Sequence, residues 1–157
     1  PNSSVGSRLL PAPLDKANYG SGKLVNPTGD TVSGEWTKLD RWEPTAGEGT
    51  RPGFVGIPAL VGNVPGECAS FGFQGTAVGV FVAAGPDAGQ LEFRVDGGDW
   101  QSRDLFTQWS VNLHLPWAVV FSAGLNQGPH TLELRVAGAR NPASKGTSIR
   151  VLHFLVN

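Results

Sequence analysis

One stretch of this sequence limits the fold more than any other. Residues 68–106 read CASFGFQGTAVGVFVAAGPDAGQLEFRVDGGDWQSRDLF. Apolar side chains recur at alternate positions: Phe71 and Phe73, then Val78, Val80 and Val82, then Leu91, Phe93 and Val95. A period of two puts alternate side chains on opposite faces of an extended strand. Between the runs stand Gly75-Thr76, Gly85-Pro86-Asp87-Ala88-Gly89 and Asp96-Gly97-Gly98-Asp99. Asp-Gly and Gly-Gly steps supply the positive φ that tight hairpin turns need. The pattern predicts a four-stranded antiparallel meander with one apolar face, its fourth strand running from Trp100 to Leu105. No crossover helix separates the runs, so a parallel sheet is not expected.

The flanking sequence continues the theme. Residues 1–21 are rich in Pro, Ser and Gly, and Pro11 and Pro13 forbid a regular helix. They read as a linker lying on the domain surface, anchored by Val5, Leu9, Leu10 and Leu14. The domain proper is residues 22–157. Further strands are predicted at 22–26, 32–39, 57–61, 118–121 and 130–137, with turns at 27–30, 63–67 and 124–129. Residues 149–156 are apolar on both faces, Ile149, Val151 and His153 on one and Leu152 and Phe154 on the other. Such a strand belongs in the middle of a sheet. Glycine (22) and proline (12) exceed a fifth of the 157 residues without any collagen period, which fits many short strands and tight turns. The expected fold is all-β: a two-sheet antiparallel β-sandwich of jelly-roll type with about nine or ten strands, a closed barrel being the alternative.

Charge and motifs narrow the chemistry. Charged residues make up 16% of the chain, the net charge is -1, and no basic stripe is present, so nucleic acid is not an expected partner. No apolar run reaches the length of a membrane span, so no membrane partner is expected. Cys68 is the single cysteine, read as a buried thiol opening a strand. Methionine is absent, and a chain opening Pro1-Asn2 reads as a processed product or a piece of something longer. No Gly-x-Ser-x-Gly elbow supports a serine nucleophile, and the three histidines lack zinc-ligand spacing. His130, after Gly128-Pro129, reads as turn-capping or exposed, and His153 as a hydrogen-bonded core or sheet-face residue. Asp87, Asp96 and Asp99 stand in turns, where side-chain to backbone hydrogen bonds account for aspartate. No cofactor is expected. A structural calcium bound by turn carbonyls and Asp oxygens is the alternative, without a calcium-loop motif to support it.

The aromatic residues are more telling. Two long loops, residues 40–54 (DRWEPTAGEGTRPGF) and 106–117 (FTQWSVNLHLPW), carry or border Trp42, Trp109 and Trp117. Loops of this length in compact domains are usually functional or mobile. Indoles suit stacking on sugar rings, or alternatively pin a long loop to the core. The candidate ligand-binding residues are Trp42, Arg51, Trp109, His114 and Trp117, with Trp42 and Trp109 stacking on sugar and Arg51 and His114 hydrogen-bonding hydroxyls or a uronate. The segment from Trp109 to Trp117 is too apolar to be a solvent tail and must bury against its own sandwich or a neighbouring domain.

The run GTAVGVFVAAGPDAGQLEFRVDGGDW, with DLFTQWSVNLHLPWAVVFSAGL, GPHTLELRV and RNPASKGTSIRVLHFLVN after it, resembles the β-sandwich module attached to bacterial SGNH/GDSL-type hydrolases. Those are serine esterases that often deacetylate carbohydrates. The resemblance covers about the last two-thirds of the chain. It implies a jelly-roll, carbohydrate-directed accessory module in a secreted or periplasmic bacterial esterase, non-catalytic in itself. The implied partners are a polysaccharide or oligosaccharide and an adjacent catalytic domain. The alternative is a structural module that packs on that domain and shapes its cleft. Pro1-Asn2 also resembles the tail of the Asp-x-x-His-Pro-Asn segment that ends SGNH catalytic domains. The family's catalytic residues have no counterparts in this chain, so no catalytic residue is carried over.

Overall fold

The computed structural model describes residues 11–12, 14–15, 18–45 and 47–157. Most of the expected linker, including Val5, Leu9 and Leu10, lies outside the described residues. Leu14, the fourth expected anchor, is fully exposed.

Nine strands and no helix make up the described residues. They are β1 (Lys23–Val25), β2 (Val32–Gly34), β3 (Thr37–Trp42), β4 (Ile57–Gly62), β5 (Cys68–Ala84), β6 (Gln90–Val95), β7 (Gln101–Asp104), β8 (Leu115–Val136) and β9 (Ile149–Val156). All strand pairs are antiparallel, in the order β3-β4-β9-β5-β8-β6-β7, with β1 on β9 and β2 on β5. The fold is therefore the expected all-β, antiparallel, jelly-roll-like one.

The expected meander is not what the central stretch forms. Gly75-Thr76 is not a hairpin turn; it lies inside the 17-residue strand β5. The expected turn at 124–129 likewise lies inside the 22-residue β8. The two long strands pair along most of their length, and where they change layer, residues 124–127 of β8 face Thr76 alone. Bulges of this kind bend a strand and let it serve two sheets. Gly75 permits the bend, because a Cβ there would strike the carbonyl oxygen of Asn157. One layer is thus β3-β4-β9 with the second half of β5 and the first half of β8; the other is β2, the remaining halves, β6 and β7.

Aromatic pairs weld the layers. Phe71 of β5 stacks on Phe154 of β9 at 3.9 Å, and Phe93 of β6 on Phe121 of β8 at 4.2 Å. Strand β9 is central, paired with β4, β5 and β1. Its faces differ from the simple alternation. The register shifts between Phe81–His153 and Val82–Val151, leaving Leu152 as an extra residue. That bulge returns Phe154 to the main core beside Ile149 and Val151, while Leu152 faces a smaller core with Trp42, Ala59, Val61 and Ala83. Cys68 is half-buried rather than buried, since it opens β5 next to the exposed 63–66 turn.

Candidate functional site

Residues 43–56 and 105–114, the two long loops, turn out to be one unit. Gly49 forms a parallel bridge with Leu113. The Gly49 N–H donates to the Asn112 carbonyl at 3.1 Å, and the His114 N–H donates to the Gly49 carbonyl at 2.8 Å. A second pair of loops is joined the same way. Ala88 bridges Ser148, the Gly89 N–H donates to the Ser148 carbonyl, and Lys145 N–H donates to the Pro86 carbonyl. Buried Ser144 holds the 138–146 loop down by donating its hydroxyl to the Ala88 carbonyl at 2.8 Å.

His114 is where the two loop pairs meet. Its Nδ1 lies 3.4 Å from Glu48 Oε2 and its Nε2 3.9 Å from Asp87 Oδ1. Neither nitrogen has a hydrogen-bond partner among the described residues. Trp42 presents an edge-on contact to the imidazole at 5.1 Å, and a Cβ at Gly85 would run into its other side. Burial pushes the His114 pKa down, and the Arg150 charge adds to this against the opposing pull of Glu48 and Asp87. Asp87 itself is gripped by Arg150 through two hydrogen bonds of 2.8 and 2.5 Å. Burial raises its carboxyl pKa, but the Arg150 hydrogen bonds and charge outweigh that and the net shift is downward. This is a scaffold of loop anchors. Among the described residues no hydroxyl or thiol is hydrogen-bonded to the imidazole.

The five candidate residues therefore separate. Trp42 is 5% and His114 3% exposed; the sequence marks both as ligand contacts, and the structure places both beneath the loops. The reason is the second core: Phe54, Val55 and Ile57 pack against it, with Phe54 stacked on Phe81 at 5.4 Å and Trp42 packed on Ala59, Val61 and Leu152. Trp109 is 65% and Trp117 48% exposed. Trp109 occupies the third position of a turn closed by the Ser110 N–H to Thr107 carbonyl bond, and the Thr107 and Ser110 hydroxyls pair at 2.8 Å. Arg51 is exposed on the partner loop and has no ion-pair partner among the described residues. Val111, 46% exposed, extends the apolar surface beside Trp109. The other two tryptophans are structural. Trp36 donates its indole N–H to the Glu67 carbonyl, and Trp100 lies under Arg94 and Arg135, each paired to a glutamate across the β6–β8 ladder.

Asp87 and Arg150 form the anchor that sequence reasoning misses. Turn chemistry alone accounts for Asp87 in the sequence, and Arg150 stands in a strand 63 residues away with no local signal. His130 does tie a turn: its Nδ1 meets Asp96 Oδ2 at 2.6 Å and its Nε2 the Asn126 carbonyl at 2.8 Å. Among the described residues no group of three or more His, Cys, Asp or Glu side chains is placed to hold a metal ion.

No protein-family model and no curated protein sequence matches the chain. Solved structures do. A two-domain esterase active on acetylated mannans, co-crystallized with mannopentaose, superposes with a TM-score of 0.70 at 13% identity, over 95% of this chain and 39% of that one. A family two carbohydrate esterase from Cellvibrio japonicus gives 0.58 at 12% identity, over 87% and 33%. An exo-β-1,3-galactanase from Phanerochaete chrysosporium, solved with galactose, gives 0.53 at 17% identity, over 88% and 30%. These likenesses establish the fold. The chain spans about two-fifths of the mannan esterase.

Proposed function

We propose that this chain is a non-catalytic accessory module that binds polysaccharide through the paired loops and holds an attached esterase on it. The observation that carries the reading is Trp109: a 65% exposed indole on a hydrogen-bonded turn, within two long loops zipped together by backbone bonds. An indole left in water loses the stabilisation that burial gives, and a rigid aromatic platform binds with little ordering cost. Val111 extends the apolar surface, and Arg51 supplies donors for hydroxyls or a uronate. Trp117 completes the exposed aromatic set at the start of β8. The placement of similar domains as a third to two-fifths of carbohydrate esterases supports an esterase as the parent. We assign that parent to the SGNH/GDSL type, secreted or periplasmic, on the resemblance over about the last two-thirds of the chain.

The test is affinity electrophoresis of the chain through gels containing acetylated mannan, galactan, xylan or a uronate-bearing polysaccharide. Retardation by at least one, lost in Trp109→Ala, is expected. Uniform mobility in all of them would sink the reading.

A second reading has its own observation. Val120 and Leu24, 52% and 64% exposed, border an apolar groove of about 290 Å³ with Gly79 and Leu155. Among the described residues the first half of β8 beside it has no strand partner but β5. This face suits the adjacent catalytic domain of the parent chain, with the loop platform left for glycan. Val120→Glu in the full-length parent would then lower its thermal stability without changing retention on polysaccharide.

A further inference from the structure

The loop platform is not the sole recess with binding chemistry. Where β6 turns into β7, a cavity of about 250 Å³ opens between the layers, lined by Phe93, Val95, Phe121 and Leu125 on its apolar side and Asp96, Asp99, Gln101 and Ser122 on its polar side. We propose that this mouth is a second ligand site, one that takes a single neutral pyranose ring, and that it acts separately from Trp109.

The apolar wall is fixed. Phe121 is half-buried and stacked on fully buried Phe93 at 4.2 Å, with ring planes 22° apart. Such a ring offers a flat face to the C–H side of a sugar. The turn across from it is fixed as well. Asp96 and Gly97 both hold positive φ, 52° and 71°, and the Gly98 N–H closes the turn on the Val95 carbonyl at 3.0 Å. A non-glycine residue in that region is held there by its surroundings. Asp96 Oδ1 accepts the Thr131 N–H and Oδ2 meets His130, so this carboxylate holds the turn and its charge is matched.

Asp99, Gln101 and Ser122 are different. None of the three makes a side-chain hydrogen bond or ion pair among the described residues. Together they offer a carboxylate acceptor, an amide and a hydroxyl, the mixture that adjacent sugar hydroxyls satisfy. The uncompensated Asp99 charge discriminates against uronates and phosphates. The volume lies below the roughly 300–1,000 Å³ of pockets for drug-sized ligands, which limits the occupant to about one ring.

The experiment is an amide ¹⁵N–¹H NMR titration of the chain with methyl glucoside, methyl mannoside, methyl galactoside and methyl glucuronide. At least one neutral glycoside is expected to shift the amides of Gly98, Asp99, Gln101 and Ser122, with a dissociation constant of about millimolar order. Asp99→Asn and Ser122→Ala, at exposed and half-exposed positions, should each weaken that binding by about tenfold, and Trp109→Ala should leave it unchanged. The proposal fails if no neutral glycoside moves those amides, if both pocket variants bind as wild type does, or if the glucuronide binds best. Shifts confined to residues 107–113 would refute it and leave the platform standing. Shifts at the mouth together with unretarded electrophoresis on every polysaccharide would do the reverse.

Discussion

Gly85→Ala tests whether His114 is the pin of the loop end. A Cβ at residue 85 would collide with Cδ2 and Nε2 of the imidazole and lie 3.2 Å from Asp87 Oδ1. The φ of Gly85 is not positive, so no backbone strain is added and the effect is steric. The ring would have to retreat by about 1 Å to reach ordinary van der Waals distance. It has no room to do so: His114 is 3% exposed, with Trp42 against its edge and Glu48 and Asp87 beside its nitrogens. Overpacking of this kind costs about 1–3 kcal/mol, and we expect about 2. For a chain of this size that is a fall in Tm of roughly 4–8 °C. His114→Ala alone loses packing but also removes two buried nitrogens without hydrogen bonds, for a net cost of about 1 kcal/mol. In the double variant the methyl introduced by Gly85→Ala occupies the vacated space, so the double should be no less stable than His114→Ala. Urea unfolding of all four proteins at about pH 8, where an ordinary imidazole is neutral, gives the interaction energy directly. The expected coupling is about 2 kcal/mol in favour of the double. Strict additivity of the two single effects would refute the packing argument.

Trp109→Ala should abolish retention on polysaccharide while shifting stability by no more than about 0.5 kcal/mol, because the indole is exposed; a variant that unfolds instead would show that the indole is a core residue. Phe154→Ala should cost about 3–5 kcal/mol in urea unfolding, since it removes a fully buried ring that joins the layers through Phe71. A loss below about 1 kcal/mol would contradict the cross-layer weld. The histidines give opposite pH signatures. His114 lies below its usual 6.5 through burial, so the unfolded chain binds the proton first and stability falls as pH drops below about 6.5. His153 is lowered by burial too and acts in the same sense. The Asn126 carbonyl and Asp96 hold His130 above 6.5, so its contribution is present below that value and is lost as pH rises through the folded one. The urea midpoint of His114→Gln should therefore depend less steeply on acid pH than wild type, and that of His130→Gln less steeply as pH rises above 6.5. Curves parallel to wild type would contradict both assignments.

Part of this architecture is written locally, and that part is legible. Asp96-Gly97 forms the tight turn its residue types demand, with positive φ at both positions. Residues 149–156 sit centrally because an apolar pattern on both faces has no other home. Pairing across the chain has no such local mark. Glycine allows a turn, a bulge or a close backbone approach, and the sequence does not say which. Gly75 supplies a bend in mid-strand and Gly79 lets the Val119 carbonyl come close, so one 17-residue strand reads as two short ones.

The same limit governs the site. Trp42 and Trp109 are alike in type, and both stand in or beside long loops. What separates them is whether a second apolar surface lies underneath. Ala59, Val61, Ala83 and Leu152 come from three strands, and they make a second core only because the bulge at Leu152 turns that side chain away from the first. Trp42 falls on that surface and is covered; Trp109 stands on a turn held by Thr107 and Ser110, and it is not. Burial of a loop aromatic is thus decided by strand register elsewhere in the chain. The same register that covers Trp42 leaves Trp109 in solvent.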